Sequence, residues 1–293
     1  MTADANNRSV PRRAIFIDAD GTLLNDAGVL RESSVTAVRE AREAGHLCFL
    51  STGRSRIEIP DALGAIEFDG IVTSNGGFAF IGGELVESRT MPEAVVGELI
   101  AYFEAEGYDY YLQGIDFLDA SPGVQIRIQK GLEELALKHG DDMAGASQDL
   151  IPKAAREAMA AHRPVRRQGI AKAMFLGNDA GAFERVNADL SERFEVVTGT
   201  IPQYGTASGE VTPHGMNKGT TMLRVLKRVG IERANSVAIG DSMNDRYMLE
   251  VAGLGIAMGN ASAELKARAD SVTRTIDEDG VWAAFVEHGL IAG

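Results

Sequence analysis

Short apolar runs alternate with helical repeats in the first 75 residues. The runs are rich in β-branched and aromatic residues, which favours buried parallel strands, and they lie at 14–17, 47–50 and 70–74. Between the first two runs, apolar residues recur at every third position, which predicts a helix that begins at Ser33 or Ser34 and ends at Gly45. A second helix is predicted near 55–63. Strands and helices that alternate in this order predict a parallel α/β sheet.

The middle of the chain follows a different pattern. Apolar segments flank Gly82 and Gly83 and predict a β-hairpin. Beyond it, helices are predicted at about 93–106 and 181–194, a polar helical stretch around 132–135, and strands near 108–112, 123–128, 171–176 and 196–197. This mixture predicts an inserted α+β domain, which we place at residues 84–205.

The α/β pattern returns after residue 206. Helices are predicted at 219–229, 245–252, 261–269 and 281–288, and strands at 236–239, 254–258 and 271–273. We therefore predict an α/β fold whose core is built from both ends of the chain, at 14–83 and 206–293. The polar residues 1–13 are predicted to form a loose tail.

Composition narrows the classes of function. With 29 Lys and Arg against 42 Asp and Glu, the net charge is −13. Such an acidic chain is a poor candidate for nucleic-acid binding, which needs clustered basic residues, and anionic membranes should repel it. No apolar run approaches the ~18–20 residues of a membrane span, and a single cysteine fits a reducing compartment. We expect a cytoplasmic protein; neither patterning nor composition specifies its oligomeric state.

Four polar clusters follow apolar strands or open a helix. They lie at 18–20, 51–54, 217–219 and 240–245. In a parallel sheet the carboxyl ends of the strands lie on one edge, so clusters far apart in sequence can converge there. We therefore expect these clusters to form one site.

The residue types in the clusters are those that phosphoryl transfer requires. The carboxylate of Asp18 can attack phosphorus and divide one difficult step into two. Because two anions repel each other, a hard cation is needed, and Asp18 and Asp241 offer carboxylates to Mg²⁺. Lys218 adds positive charge for the transition state. Asp20 can protonate the leaving alcohol and later deprotonate water.

Three residues of the second cluster extend this hypothesis. The hydroxyl of Thr52 and backbone N–H groups at Thr52 and Gly53 can hold phosphate oxygens. Arg54 has two candidate roles, as a fork for phosphate or as the partner of a core acid. The sequence leaves both roles open.

Four motifs summarise the clusters: Asp-Ala-Asp-Gly-Thr-Leu from Asp18, Ser-Thr-Gly-Arg from Ser51, the lysine at 218, and Gly-Asp-Ser-Met-Asn-Asp from Gly240. Together they resemble the motifs of the haloacid dehalogenase-like phosphatase superfamily. The run Ala-Met-Gly-Asn-Ala at 257–261 narrows the resemblance to its Cof-type branch, in which a large α/β cap is inserted after the third core strand.

The resemblance implies a Rossmann-like core and a cap that selects the substrate. It implies that Asp18 is the nucleophile and a Mg²⁺ ligand, that Asp241 is a metal ligand, and that Asp20 is the general acid/base and gives its backbone carbonyl to the metal. Phosphate contacts are implied for the backbone N–H of Ala19 and for Thr52, Gly53, Lys218 and Asn244. Supporting positions near the site are Arg54, Asn75 and Asp245.

The predicted function is a Mg²⁺-dependent phosphatase that acts on a small phosphorylated metabolite through an aspartyl phosphate. Neither nucleic acid nor membrane is an expected partner. Two alternatives stay open: a phosphomutase that uses the same aspartate, and a non-catalytic protein that binds phosphorylated metabolites. A dinucleotide-binding loop at 253–259 is rejected because the glycine spacing is wrong and the segment spans a strand.

Overall fold

The structure, a computed structural model, describes residues 11–127, 129–130, 151–161, 163–199 and 207–293. Its strands are β1 (Ala14–Ile17), β2 (Leu47–Ser51), β3 (Gly70–Thr73), β4 (Phe78–Ile81), β5 (Glu84–Ser88), β6 (Asp109–Gln113), β7 (Leu118–Ala120), β8 (Lys172–Leu176), β9 (Phe194–Thr198), β10 (Ser208–Pro213), β11 (Ser236–Gly240), β12 (Leu254–Ala257) and β13 (Ser271–Val272). Its labelled helices are α1 (Glu32–Glu43), α2 (Glu93–Ala105), α3 (Lys153–Ala160), α4 (Ala182–Leu190), α5 (Lys218–Val229), α6 (Arg246–Val251), α7 (Ala263–Lys266) and α8 (Gly280–Glu287).

The larger sheet has eight strands in the order β13-β12-β11-β1-β2-β3-β4-β5. The six strands from β13 to β3 are parallel, and β4 and β5 add an antiparallel hairpin to one edge. Strand β1 is central, between β2 and β11. The carboxyl ends of β1, β2 and β11 therefore lie side by side, and the polar clusters follow these ends.

Strand β1 is buried on both faces, as its continuous apolar run predicts. Ile15 and Ile17 lie in a core cluster with residues of α1 and α8. Phe16 points to the opposite face, where it stacks on Phe49 with ring centroids 4.7 Å apart and joins residues of α5 and α6. The alternation follows from the two-residue period of a strand. Helices on both faces of a mainly parallel sheet confirm the predicted α/β class.

The smaller sheet has five antiparallel strands in the order β7-β6-β8-β10-β9. One face packs on α2 and α4 in a core of its own. No helix in the described part of the chain has the length and apolar character needed to cross a membrane.

Three local predictions are wrong. Helix α1 begins before Ser33 and Ser34, and the Ser33 hydroxyl donates to Asp279 Oδ1 at 2.7 Å instead of capping the helix. The helix near 55–63 is two 3₁₀ segments, Arg56–Glu58 and Asp61–Ala65, because Pro60 between them has no N–H to donate.

The third wrong prediction is the strand at 123–128. Residues 124–127 are helical, since Pro122 suits the turn that leads into a helix. The predicted helical stretch around 132–135, most of the predicted tail and residue 128 lie outside the described residues.

At each predicted boundary of the inserted domain, one strand joins the sheet on the other side of that boundary. Strand β5, predicted to lie in the inserted domain, extends the larger sheet, whereas β10, predicted to lie in the core, pairs with β8 and β9 in the smaller one. Both short strands mix polar and apolar residues, so the sequence gives little sign of which sheet they join. That the inserted part acts as a substrate-selecting cap stays a prediction.

Candidate active site

The chain turns sharply after Asp18, at the end of β1. The backbone N–H of Asp18 donates to Ile239 O at 3.0 Å, which ties this residue to β11. The carbonyl of Ala19 accepts from the N–H groups of Leu23 and Leu24 at 2.9 and 2.8 Å and closes the turn. Asp18 is thereby held, nearly buried, at the edge where β1 and β11 end.

Gly21 lets this turn approach the loop that follows β11. Its φ is +83°, a value that favours glycine. A Cβ on Gly21 would lie 2.1 Å from Oδ2 of Asp241. The close approach of the first and fourth clusters therefore requires a residue without a side chain.

Lys218 lies at the centre of the charged groups. It is the first residue of α5, it is fully buried, and its Nζ donates to Asp18 Oδ1 at 2.5 Å and to Asp245 Oδ1 at 2.6 Å. Asn244 Oδ1 lies 3.3 Å from the same nitrogen. Burial alone would lower the pKa of Lys218, but Asp18 and Asp245 raise it above its ordinary value. Lys218 is therefore a permanent cation that joins the loop of Asp18 to the fourth cluster.

Asp245 serves both Lys218 and the loop after β11. Its Oδ2 accepts from the backbone N–H groups of Asp241 and Ser242, each at 3.1 Å. Gly240 makes room for it, because a Cβ there would lie 2.4 Å from Asp245 Cγ. With both carboxylate oxygens engaged, Asp245 holds the loop and Lys218 in place.

Three carboxylates form an acidic cluster that fits a metal ion. Oxygens of Asp18, Asp241 and Asp245 lie within 4.8 Å of one another. Asp241 Oδ1 is buried and has no hydrogen-bond partner among the described residues. Because a buried ionised carboxylate without a partner is costly, a hard cation with oxygen ligands would satisfy it. Asp245 is already engaged, so Asp18 and Asp241 are the side chains suited to hold the cation.

The electrostatics of the two candidate ligands agree with this fit. Burial, followed by the negative charge of Asp245, raises the pKa of Asp241 to about 8. The same two causes raise the pKa of Asp18 well above its ordinary value, although Lys218 opposes them. The protein alone therefore disfavours charge on both groups, and a bound cation would reverse this.

Asp20 and Arg54 form a bidentate pair. Arg54 Nε and Nη2 donate to the two carboxylate oxygens of Asp20, each at 2.7 Å. Burial would raise the pKa of Asp20, but Arg54 lowers it below its ordinary value. Arg54 also donates to the carbonyl of Glu58 at 2.9 Å. Of the two roles open for Arg54, the structure shows the pair with a core acid, and the side chain of Asp20 lies with Arg54 rather than in the acidic cluster.

The second cluster and Asn75 approach Lys218 through Asn244, whose Oδ1 lies 3.3 Å from Lys218 Nζ and whose Nδ2 lies 3.4 Å from Asn75 Oδ1. Thr52 Oγ1 accepts from the Arg54 N–H at 3.1 Å. A Cβ on Gly53 would lie 3.0 Å from Asn75 Oδ1 and 3.3 Å from Asn244 Nδ2, so these residues surround Gly53. The four clusters thus converge at one edge of the larger sheet.

Two charged residues reach this edge from the smaller sheet: Lys172, which the sequence offers as a substrate contact only if it faces the cleft, and Glu210, which sequence reasoning missed. Lys172 Nζ donates to the carbonyl of Gly53 at 2.6 Å, and Glu210 accepts from Asn75. The available signal was a charged residue inside an otherwise apolar or small-residue strand, since such a residue needs a partner when buried.

Comparison of the chain with known protein families gives a match over most of its length. The family model described as haloacid dehalogenase-like hydrolase matches residues 15–285. The chain therefore belongs to the haloacid dehalogenase-like hydrolase family, which confirms the resemblance drawn from the four motifs.

Individual relatives narrow the class to phosphatases. The chain is 30% identical to 5-amino-6-(5-phospho-D-ribitylamino)uracil phosphatase YwtE of Bacillus subtilis (strain 168), over 96% of this chain and 99% of that protein. It is 27% identical to pyridoxal phosphate phosphatase YbhA of Escherichia coli (strain K12), over 95% of this chain and 99% of that protein. The solved structure of the HAD subclass IIB sugar phosphatase BT4131 is similar with a TM-score of 0.73 and 26% identity, covering 95% of this chain and all of that one. The protein is a phosphoric monoester hydrolase, as predicted.

Proposed function

We propose that this phosphatase hydrolyses a small phosphorylated metabolite with the help of Mg²⁺ and through an aspartyl phosphate on Asp18. The observation that carries the proposal is the buried Lys218, held between Asp18 and Asp245, together with the oxygen of Asp241 that has no hydrogen-bond partner in the described part of the chain. Relatives that act on a ribitylamino-uracil phosphate, pyridoxal phosphate and sugar phosphates support the substrate class. We place the protein in the cytoplasm, in keeping with a single buried cysteine, Cys48.

In the first step Asp18 attacks phosphorus and the bond to the leaving oxygen breaks. Lys218 and the groups around Gly53 hold the phosphoryl oxygens, and Asp20 donates a proton to the leaving alcohol. Asp18 and Asp241 would hold Mg²⁺, which supplies positive charge against the phosphate oxygens and the attacking carboxylate.

In the second step water attacks the phosphorus of the aspartyl phosphate. Asp20, now deprotonated, removes a proton from the water, and Asp18 is released together with inorganic phosphate. The pair with Arg54 keeps Asp20 ionised, which suits this step. For the first step Asp20 must carry a proton, so Arg54 must loosen its contact when substrate binds.

The test is to incubate the purified protein and Mg²⁺ with sugar phosphates, pyridoxal phosphate and nucleotide-precursor phosphates and to follow free phosphate. We expect release from at least one of them, and a loss of at least about 10³-fold in kcat for Asp18→Asn, since the nucleophile is gone. Asp26→Asn is the control, because Asp26 is exposed in a turn eight positions after Asp18 and lies outside the four clusters. Undiminished turnover in Asp18→Asn would refute the assigned nucleophile, and an isomerised product that depends on a bisphosphate would identify a mutase.

A further inference from the structure

One face of the smaller sheet presents polar side chains to the phosphate loops. In the register of the sheet, Lys172 of β8 lies opposite Gln113 of β6, and Glu210 of β10 lies opposite Met174. Because side chains alternate along a strand, Gln113, Lys172 and Glu210 share one face. Their neighbours Leu112, Ala173 and Val211 point to the other face, into the apolar core with α2 and α4.

Lys172 and Glu210 form an ion pair that is almost completely buried. Lys172 Nζ lies 3.0 Å from Glu210 Oε1, and the two side chains are 2% and 1% exposed. A buried ion pair recovers its cost of desolvation only when further hydrogen bonds satisfy both ions. The same face also carries an apolar cluster that includes Tyr111, Met174 and Leu176. The further partners of the ion pair come from the larger sheet.

Those partners are the two loops that surround the proposed phosphate site. Lys172 Nζ donates to the Gly53 carbonyl at 2.6 Å. Glu210 Oε2 accepts from Asn75 Nδ2, and Asn75 Oδ1 in turn lies 3.4 Å from Asn244 Nδ2. The pair therefore reaches Gly53 directly and Asn244 through Asn75.

The backbone at Asn75 needs such support. Its φ is +54° and that of Ser74 is +50°, so two consecutive residues other than glycine adopt a left-handed conformation. Such residues persist when the surrounding structure holds them. Glu210 engages the amide of Asn75 and thereby fixes which end of that amide faces Asn244.

We propose that Lys172 and Glu210 are positioning residues that set the phosphate-binding loops from the inserted domain. They act through Gly53 and Asn75, so the phosphate site is complete only when the two sheets are closed on each other. This inference rests on the proposed function, because it takes Gly53 and Asn244 as phosphate contacts. According to this proposal, the ion pair supports binding of the phosphate group and makes no contact with the leaving group.

The experiment measures binding of inorganic phosphate, which has no leaving group. Wild type, Lys172→Met, Glu210→Gln and the double variant are titrated with orthophosphate in Mg²⁺ by calorimetry, and kcat and KM are measured on a substrate of the wild type. We expect each variant to bind orthophosphate about tenfold or more weakly, the range expected when a charged hydrogen bond is lost. In the absence of phosphate, Mg²⁺ affinity should be unchanged, since Asp18 and Asp241 are not touched.

Glu195→Gln is the matched control. Glu195 of β9 accepts from Arg246 Nη2 at 2.8 Å and from the Tyr247 hydroxyl at 3.2 Å. It therefore joins the smaller sheet to helix α6, which packs on the larger sheet. It contacts neither Gly53 nor Asn75 in these bonds. We expect Glu195→Gln to retain the orthophosphate affinity of the wild type.

Two results would overturn the proposal. Unchanged orthophosphate affinity with a raised KM would make the pair a contact for the leaving group, and unchanged affinity and kinetics would make it structural. Each single variant removes one charge of the pair and leaves the opposite charge buried, which can unfold the protein. The double variant removes both charges and decides the test if a single variant unfolds. A wild type that binds orthophosphate but hydrolyses no substrate would refute the proposed function, whereas weakened binding in the variants would still support the positioning role.

Discussion

Arg54 sets the protonation state of Asp20. Its guanidinium donates to both carboxylate oxygens, and this pairing outweighs the effect of burial and lowers the pKa of Asp20. A planar guanidinium fits a carboxylate in this way and a lysine does not. The proposed general acid is therefore held as its conjugate base until substrate disturbs the pair.

Replacement of Arg54 by methionine should move the pH dependence of hydrolysis upward. Without the neighbouring cation the pKa of Asp20 rises, because burial then dominates. We expect the limb of kcat/KM against pH that reports Asp20 to shift to higher pH, and kcat to fall by about tenfold or more as Asp20 loses its orientation. Arg56→Met, at an exposed arginine that stacks on Phe80, is the control. An unshifted profile in Arg54→Met would contradict the role of the pair.

The turns after β1 and β11 make contact because glycines stand where side chains would collide. Gly21 faces Asp241, and Gly240 faces Asp245. The first contact brings Asp241 against the turn after β1, and the second places Asp245 against the end of its own strand, β11. The acidic cluster therefore depends on the close approach of the ends of β1 and β11 as well as on the acidic residues themselves.

Gly21→Ala should lower metal affinity more than it lowers stability. Its left-handed backbone adds a strain of about 1–2 kcal/mol for alanine, and its Cβ would push Asp241 out of the cluster. Gly45→Ala is the matched control, because Gly45 has φ +92° and no atom within 4 Å of an added Cβ. We expect similar losses of unfolding free energy in both variants, and weaker Mg²⁺ binding by calorimetry in Gly21→Ala alone. Equal Mg²⁺ affinity in the two variants would show that the contact with Asp241 is unimportant.

Taken as a whole, the molecule concentrates negative charge at one edge of the larger sheet while its net charge is already −13. Asp18, Asp241 and Asp245 meet there with Lys218 as a fully buried cation among them. An anionic substrate can approach such an edge only if a cation offsets the local field. Metal binding, stability and pH should therefore be coupled in this protein.

The stability of the metal-free protein should fall as pH rises. Asp241 has an ordinary pKa of 3.8 and a folded pKa of about 8, so between these values the folded state binds more protons than the unfolded state. The unfolding free energy is then highest at the acidic side of this window and decreases toward pH 8. Thermal unfolding in a metal chelator across pH 5 to 9 measures this, and the trend should be weaker in Asp241→Asn, where Asp18 is the one candidate metal ligand that keeps a raised pKa.

Added Mg²⁺ should stabilise the protein more at high pH. The metal competes with protons for Asp18 and Asp241, so its affinity should decrease by about tenfold per unit of pH, below pH 8, for each proton that it displaces. We expect the rise in melting temperature on addition of Mg²⁺ to be larger at pH 8.5 than at pH 6. A rise that is the same at both values would contradict a site made of carboxylates with raised pKa values.

Local patterning was sufficient for the core of the fold. Continuous apolar runs predict β1, β2, β3 and β11 because a strand covered on both faces needs no polar residue. The polar clusters that follow these runs predict the site because parallel strands end on the same edge. Elements with mixed composition, such as β7, β10 and the 3₁₀ segments around Pro60, were missed or misassigned, since their conformation depends on what they pack against.

The sequence by itself determined the acids, the lysine and the glycines of the site, together with the strand ends that carry them, because these depend on residue type and short-range period. Only the tertiary structure decided which charges pair. It placed Arg54 on Asp20 and engaged both oxygens of Asp245. Among the described residues it left an oxygen of Asp241 without a hydrogen-bond partner, and it brought Lys172 and Glu210 from the smaller sheet to Gly53 and Asn75. These partners lie up to 135 positions apart in the sequence. The energy of a buried charge depends on neighbours that only folding brings together.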